Sequence, residues 1–183
     1  LHTGQVVIHN NDGNDTPFKF NIQGNGVLVA PEIDVKGNGM DILDGDTTPD
    51  PEDDTDFGRA GVDFSTVVRT FTIENNGNDV LNLTGNQRVA VMSATGEFEV
   101  LNQPASASIP AGGFLTFDIA YNPTNLGLAT AKVVIDNDDP DEPMFSFDIQ
   151  GEGINVVPPT TVRDTAATSP SNAVTIDILA NDT

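Results

Sequence analysis

The chain reads as an all-β protein, a sandwich or barrel set in a tandem array, and three observations predict this. Residues 6–26 (VVIHNNDGNDTPFKFNIQGNG) return as residues 133–153 (VVIDNDDPDEPMFSFDIQGEG) at a constant offset of 127, without a gap and with 11 of 21 positions identical. A fixed period of this kind marks repeated modules. Short runs of β-formers follow one another with turn residues roughly every 8 to 15 positions, the pattern of an antiparallel sandwich or barrel. Asn, Asp, Gly and Thr abound and helix formers are scarce, so no helix of three turns is expected.

The period sets the domain size. Residues 1–26 read as the last two strands of a preceding repeat, or as strands exchanged with another chain. Residues 27–153 read as a complete sandwich, and residues 154–183 as a Pro-containing linker with the first strand of a following β domain. In the first segment, residues 6–8 and 18–22 make a hairpin, which on its own is marginal in water. Its Phe18, Phe20 and Ile22 must therefore be covered by strands from outside the segment.

In the central segment, residues 67–74 (VVRTFTIE) alternate so that Phe71 and Ile73 point inward. Residues 75–78 (NNGN) supply side chains that tolerate positive φ in a tight turn, after which Val80, Leu81 and Leu83 resume the β pattern. Residues 89–92, 98–101 and 114–121 are further strands, the last placing Leu115, Phe117, Ile119 and Tyr121 on one face. Residues 131–135 and 144–149 complete the set, and every one of these signals is antiparallel in style. Beyond Pro158 and Pro159, residues 173–179 (AVTIDIL) form one amphipathic strand whose Val174, Ile176 and Ile178 also call for a complementing partner.

Charge and composition exclude several functions. With 28 acidic against 7 basic residues the net charge is −21, which repels nucleic acid and anionic membranes and favours cations. There is no cysteine, hence no disulfide and no thiol ligand or nucleophile. No apolar run approaches the roughly 18 to 20 residues that cross a bilayer, and residues 1–4 are not a signal peptide. Only His2 and His9 offer an imidazole, and the repeat replaces His9 by Asp136, so a nucleophilic triad is not expected. Carboxylate pairs exist, but with no Trp and one Tyr there is no sugar-stacking platform beside them. The chain is not expected to be an enzyme.

The densest chemistry lies in residues 41–56, a run of carboxylates without a Lys or Arg. Hard divalent cations take six to eight oxygens, and Asp44, Asp46, Asp50, Asp53, Asp54 and Asp56 in a Pro-bearing loop are the ligand candidates for calcium. The spacing is not that of an EF-hand. A solvated acidic loop, or adaptation to salt, explains the same composition without a bound ion. Residues 136–142 (DNDDPDE), echoed by residues 9–15, form a second acidic stretch that reads as a hairpin turn. The Gly-x-Gly steps at 24–26, 37–39 and 151–153 neither open a helix nor precede a Lys, and so read as strand terminators and module junctions instead of phosphate loops. Asn14, Asn82 and Asn181 begin formal glycosylation sequons.

The segments EIDVKGNG, ILDGDTTPD, TDFG, RTFTIENNGNDVLNLTGN, QPASASIPAGGFLTFDIAYNPTNLGLATAKVVIDNDD and FDIQGEG, in that order, resemble a choice-of-anchor D domain, an immunoglobulin-like module related to the ASPM/SPD-2/Hydin group. They cover about two thirds of the chain. The tail VRDTAATSPSNAVTIDILANDT resembles the start of a cadherin-like tandem adhesin repeat. The resemblance implies a seven- or eight-stranded immunoglobulin-like β-sandwich in a large, repetitive, secreted prokaryotic surface protein. The expectation is thus a structural or adhesive repeat of an extracellular filament or stalk, calcium-stabilised and joined by strand complementation, whose partners are neighbouring copies or adjacent repeats. The alternatives are a calcium-dependent carbohydrate- or protein-binding module, and a spacer within a secreted hydrolase.

Overall fold

In the computed structural model, which describes residues 1–14 and 17–156, two β units appear and no helix. The first is a hairpin of β1 (His2–Ile8) and β2 (Phe18–Gly24). The second is a β-sandwich of two sheets. Five strands, β3 (Ile33–Gly37), β4 (Met40–Ile42), β6 (Val67–Asn75), β9 (Phe98–Asn102) and β11 (Phe114–Tyr121), lie in the order β4-β3-β6-β11-β9. Four others, β5 (Asp56–Gly61), β8 (Ala90–Ser93), β12 (Gly127–Asp136) and β13 (Met144–Ile154), lie in the order β5-β13-β12-β8. A short pair, β7 (Leu81–Asn82) with β10 (Ser108–Ile109), lies apart from both sheets. The fold is the immunoglobulin-like sandwich expected, with more strands than the seven or eight implied, because β4 and β5 extend one edge of each sheet.

Period-2 alternation decides which residues are buried. Along β6, Phe71, Ile73 and Asn75 are buried while Val68 and Thr70 are exposed. Along β11, Phe117, Ile119 and Tyr121 point into the same core. Phe71 is stacked on Phe117 at 5.4 Å and meets Phe147 of the opposite sheet at 5.5 Å, so one ring spans the gap between the sheets. At the other end Phe57, Phe98 and Tyr121 close the core, with Tyr121 stacked on Phe98 at 4.5 Å. None of the buried core residues comes from the hairpin.

Two local expectations are corrected. The pairing is not antiparallel throughout: β5 runs parallel to β13. The chain leaves the first sheet at Ile42, crosses over in residues 43–55 and joins the free edge of β13 in the same direction; alternation within a strand carries no information about its neighbour's direction. The turn at residues 75–78 uses no positive φ. Asn75 organises it instead: its side-chain amide donates to Asp79 O and Ile109 O, and its Oδ1 accepts from the Glu32 and Gly77 amides. Glycine is required at 77 because a Cβ there would collide with the Ala30 carbonyl and the Glu32 amide. Positive φ occurs instead at Asn38 and Gly39, the two-residue turn between β3 and β4.

Strands β3, β4, β5 and β10 carried no separate strand signal in the sequence, being short or interrupted by glycine and charge. The sandwich strands begin at Ile33, later than the expected boundary of 27, and end at Ile154. Val27, Leu28 and Val29 are exposed, and this connector is held to the sandwich through Asn78, which bonds Leu28 O and the Ala30 amide. Val174, Ile176 and Ile178 lie outside the described residues.

Candidate functional site

The acidic loop of residues 41–56 uses several of its carboxylates on nearby backbone amides and others on neighbouring strands. Asp46 Oδ1 accepts from the amide and hydroxyl of Thr48, Asp50 Oδ1 from the Glu52 amide, and Asp53 Oδ1 from the amide and hydroxyl of Thr55. Asp56 accepts from the Gly58 amide and from Gln150 Nε2. These are Asx turns, the local bonds a short acidic side chain makes where the chain reverses. Asp54, at φ 64°, pairs with Arg69 at 3.0 Å, and Asp44 accepts from the Ser146 amide at 2.8 Å, fastening the loop to β13. Among the described residues, no three of Asp44, Asp46, Asp50, Asp53, Asp54 and Asp56 bring carboxylate oxygens within 4.8 Å of one another.

Acidic oxygens converge elsewhere. Among the described residues, Glu32, Asp139 and Asp141 bring ligand atoms within 4.8 Å of one another. Two elements create this meeting. Asp139 sits in the turn between β12 and β13, where Asn137 Oδ1 caps its amide, and its own Oδ2 reaches across to accept the Ile33 amide at the start of β3. Glu32 immediately precedes that amide. Asp139 is buried, whereas Glu32 and Asp141 are exposed. The stretch 136–142 forms the expected turn; its meeting with Glu32 is invisible in the sequence because the neighbouring Ile33 and Asp139 lie 106 positions apart.

The crowding shows in the titration of its members. Partial desolvation by its neighbours, then the charges of Asp139, Asp141 and Asp34, push the Glu32 carboxyl above its usual range. Burial, then the charges of Asp44, Asp139, Glu32 and Asp141, do the same to Glu142. Both groups hold a proton more readily in the folded chain. Their stabilising contribution is complete at acid pH and fades as pH rises through the raised values. This corner can attract a proton or a cation.

A second carboxylate, Glu97, was not singled out in the sequence. It is 3% exposed, and its Oε1 accepts from the amide and hydroxyl of Thr124 and from the amide and side chain of Asn125, at 2.7 to 3.1 Å. Burial raises its pKa, but these bonds outweigh that effect and the net shift is downward. Its role is to hold the turn between β11 and β12. Nearby, Tyr121 is buried against Gly151, and burial together with the charges of Glu97 and Glu152 pushes its phenol up to about 12.

No family model and no curated protein matches the chain. Solved structures do show similarity. A secreted serine protease of Vibrio cholerae, VesC, matches 56% of this chain at 17% identity and TM-score 0.44, and the match takes in only 22% of the protease. The ASH/PapD-like domain 7 of human CEP192 matches 74% of this chain and 94% of its own, at 11% identity and TM-score 0.44. A protein of unknown function from Porphyromonas gingivalis W83 matches 83% of this chain and 86% of its own, at 15% identity and TM-score 0.45. Likeness of this degree carries no function to the chain. Among the described residues no helix is long and apolar enough to cross a membrane.

Proposed function

We propose that the chain is a structural repeat of an extracellular, cell-surface filament or stalk of the choice-of-anchor D kind, with sandwiches placed in series. One observation carries this reading: β1–β2 and β12–β13 are two copies of one hairpin, 127 residues apart, in the same register. Val6 faces Phe20 as Val133 faces Phe147, and Thr3 faces Gln23 as Thr130 faces Gln150. A unit that recurs at fixed spacing with its pairing intact is the building block of an array. The net charge of −21 supports the reading further, since such a surface stays soluble when modules are crowded together.

Calcium enters this reading as a stabilising counter-ion for the acidic loop and for the Glu32, Asp139 and Asp141 corner. That convergence is also what favours the second reading, a calcium-dependent module that binds a carbohydrate or protein. Immunogold labelling of intact producing cells with antibody against residues 27–153 tests the proposal: label along surface fibres is expected, and label only after lysis contradicts it. Melting the chain in chelator, then with calcium at constant ionic strength, tests the ion. An upward shift of a few degrees is expected, as about 1 kcal/mol moves the midpoint of a domain this size by roughly 2 to 8 °C; an unchanged midpoint removes calcium from the account.

A further inference from the structure

The apolar face and the glycines of the hairpin β1–β2 have no packing partner among the described residues of the sandwich. Phe18, Phe20 and Ile22 are 51%, 44% and 51% exposed, while their counterparts Phe145, Phe147 and Ile149 are 2%, 0% and 0% exposed. The glycines are more telling. At Gly151 a Cβ would run into the Tyr121 ring, and at Gly153 into the Asn125 carbonyl, so the sandwich needs glycine at both. Their counterparts Gly24 and Gly26 have open space where a Cβ would stand, and neither has a positive φ that calls for glycine. Glycine in an extended strand weakens it unless another group approaches closely.

The turns correspond as well. Asn10 Oδ1 accepts the Asp12 amide at 2.8 Å and Asp12 Oδ1 accepts the Asn14 amide at 3.1 Å, repeating Asn137 with Asp139 at 2.8 Å and Asp139 with Asp141 at 3.3 Å. In the sandwich this turn presents Asp139 to the first amide of β3. The hairpin thus presents Asp12 in the same form.

We propose that β1–β2 docks onto the five-stranded sheet of another sandwich of this same type, in the place that β12–β13 holds here. Phe20 then lies on that sheet's counterpart of Phe71, Gly24 against its counterpart of Tyr121, and Asp12 on the amide that begins its counterpart of β3. The inference rests on the repeat-module reading and names the partner surface it requires. An unrelated partner would require none of the glycine pair, the turn and the register.

Grafting tests the fit in the full chain. In one graft residues 128–153 are replaced by a copy of residues 1–26; in a second, only residues 130–135 and 145–151 are replaced by residues 3–8 and 18–24. The second keeps the native turn and omits His2, whose counterpart Ala129 is buried with 4% exposure. Folding is read from the cooperative loss of the near-ultraviolet signal of Tyr121, the one Tyr in a chain without Trp. Both grafts, or the second alone, are expected to unfold in a single transition within about 10 °C of the native midpoint, since the core-facing Val, Ile and Phe residues are the same. Gly24→Val within the graft is expected to abolish that transition, yet to leave the midpoint unchanged when made in the native hairpin. Failure of both grafts to fold, or tolerance of valine within the graft, overturns the inference. Surface labelling of cells is independent of either result, so failure of the repeat-module reading would be recognised separately.

Discussion

Phe71→Ala is expected to destabilise the sandwich by about 3 to 5 kcal/mol, the range for removing a large buried aromatic. Phe71 is fully buried, stacks on Phe117 within its own sheet and meets Phe57 and Phe147 from the other. Truncation therefore opens a cavity at the contact between sheets, where neither layer can collapse without shifting the other. Urea unfolding should show a lower midpoint with an unchanged slope. Phe20→Ala, the matched deletion in the hairpin, should leave that midpoint in place, because Phe20 contributes nothing to this core. A loss below about 1 kcal/mol at Phe71 would mean that the sheets are not packed through this ring.

Replacing Glu97 has the second largest expected effect. Glu97→Ala leaves two amides, the hydroxyls of Thr95 and Thr124 and an amide side chain without their acceptor, and hydrogen bonds to a charged group are worth about 1.5 to 3 kcal/mol. A loss of about 2 to 3 kcal/mol at pH 7 follows, because water at the exposed Thr124 and Asn125 satisfies some of the donors. Glu97→Gln separates charge from shape. The folded-state pKa of Glu97 is lowered, so its contribution is present above the ordinary value of 4.5 and disappears as pH falls through the lower folded value. The stability gap between wild type and Glu97→Gln should accordingly narrow below about pH 4.5. Glu32 and Glu142 act in the opposite sense in both proteins and cancel from this difference. A gap independent of pH would contradict the assigned role.

Much of the fold was legible because it rests on alternation. Phe71 with Ile73, Phe117 with Ile119, and Phe145 with Phe147 announce their strands and inward faces by period alone. What escaped depends on contacts remote in sequence. β5 is recognisable only by its parallel pairing to β13, Glu97 acts on a loop 27 positions away, and Glu32 meets Asp139 through the β3 amide. The acidic run of residues 41–56 was conspicuous for composition, whereas the Asx turns that Asp46, Asp50, Asp53 and Asp56 make depend on where the chain reverses, which composition does not show. The repeated hairpin was visible as letters. Its meaning came from register and from two glycines with nothing beside them.

Residues 33–154 complete their own sandwich, and on the proposed docking the face of the first hairpin belongs to another. Equilibrium urea unfolding of the whole chain, beside a chain beginning at Val27, tests it most directly. The midpoint and slope of the transition reported by Tyr121 should coincide, with free energies agreeing within about 0.5 kcal/mol. A loss of more than about 1 kcal/mol, or a smaller slope, on removing residues 1–26 would show that the hairpin packs into this sandwich and would contradict the account.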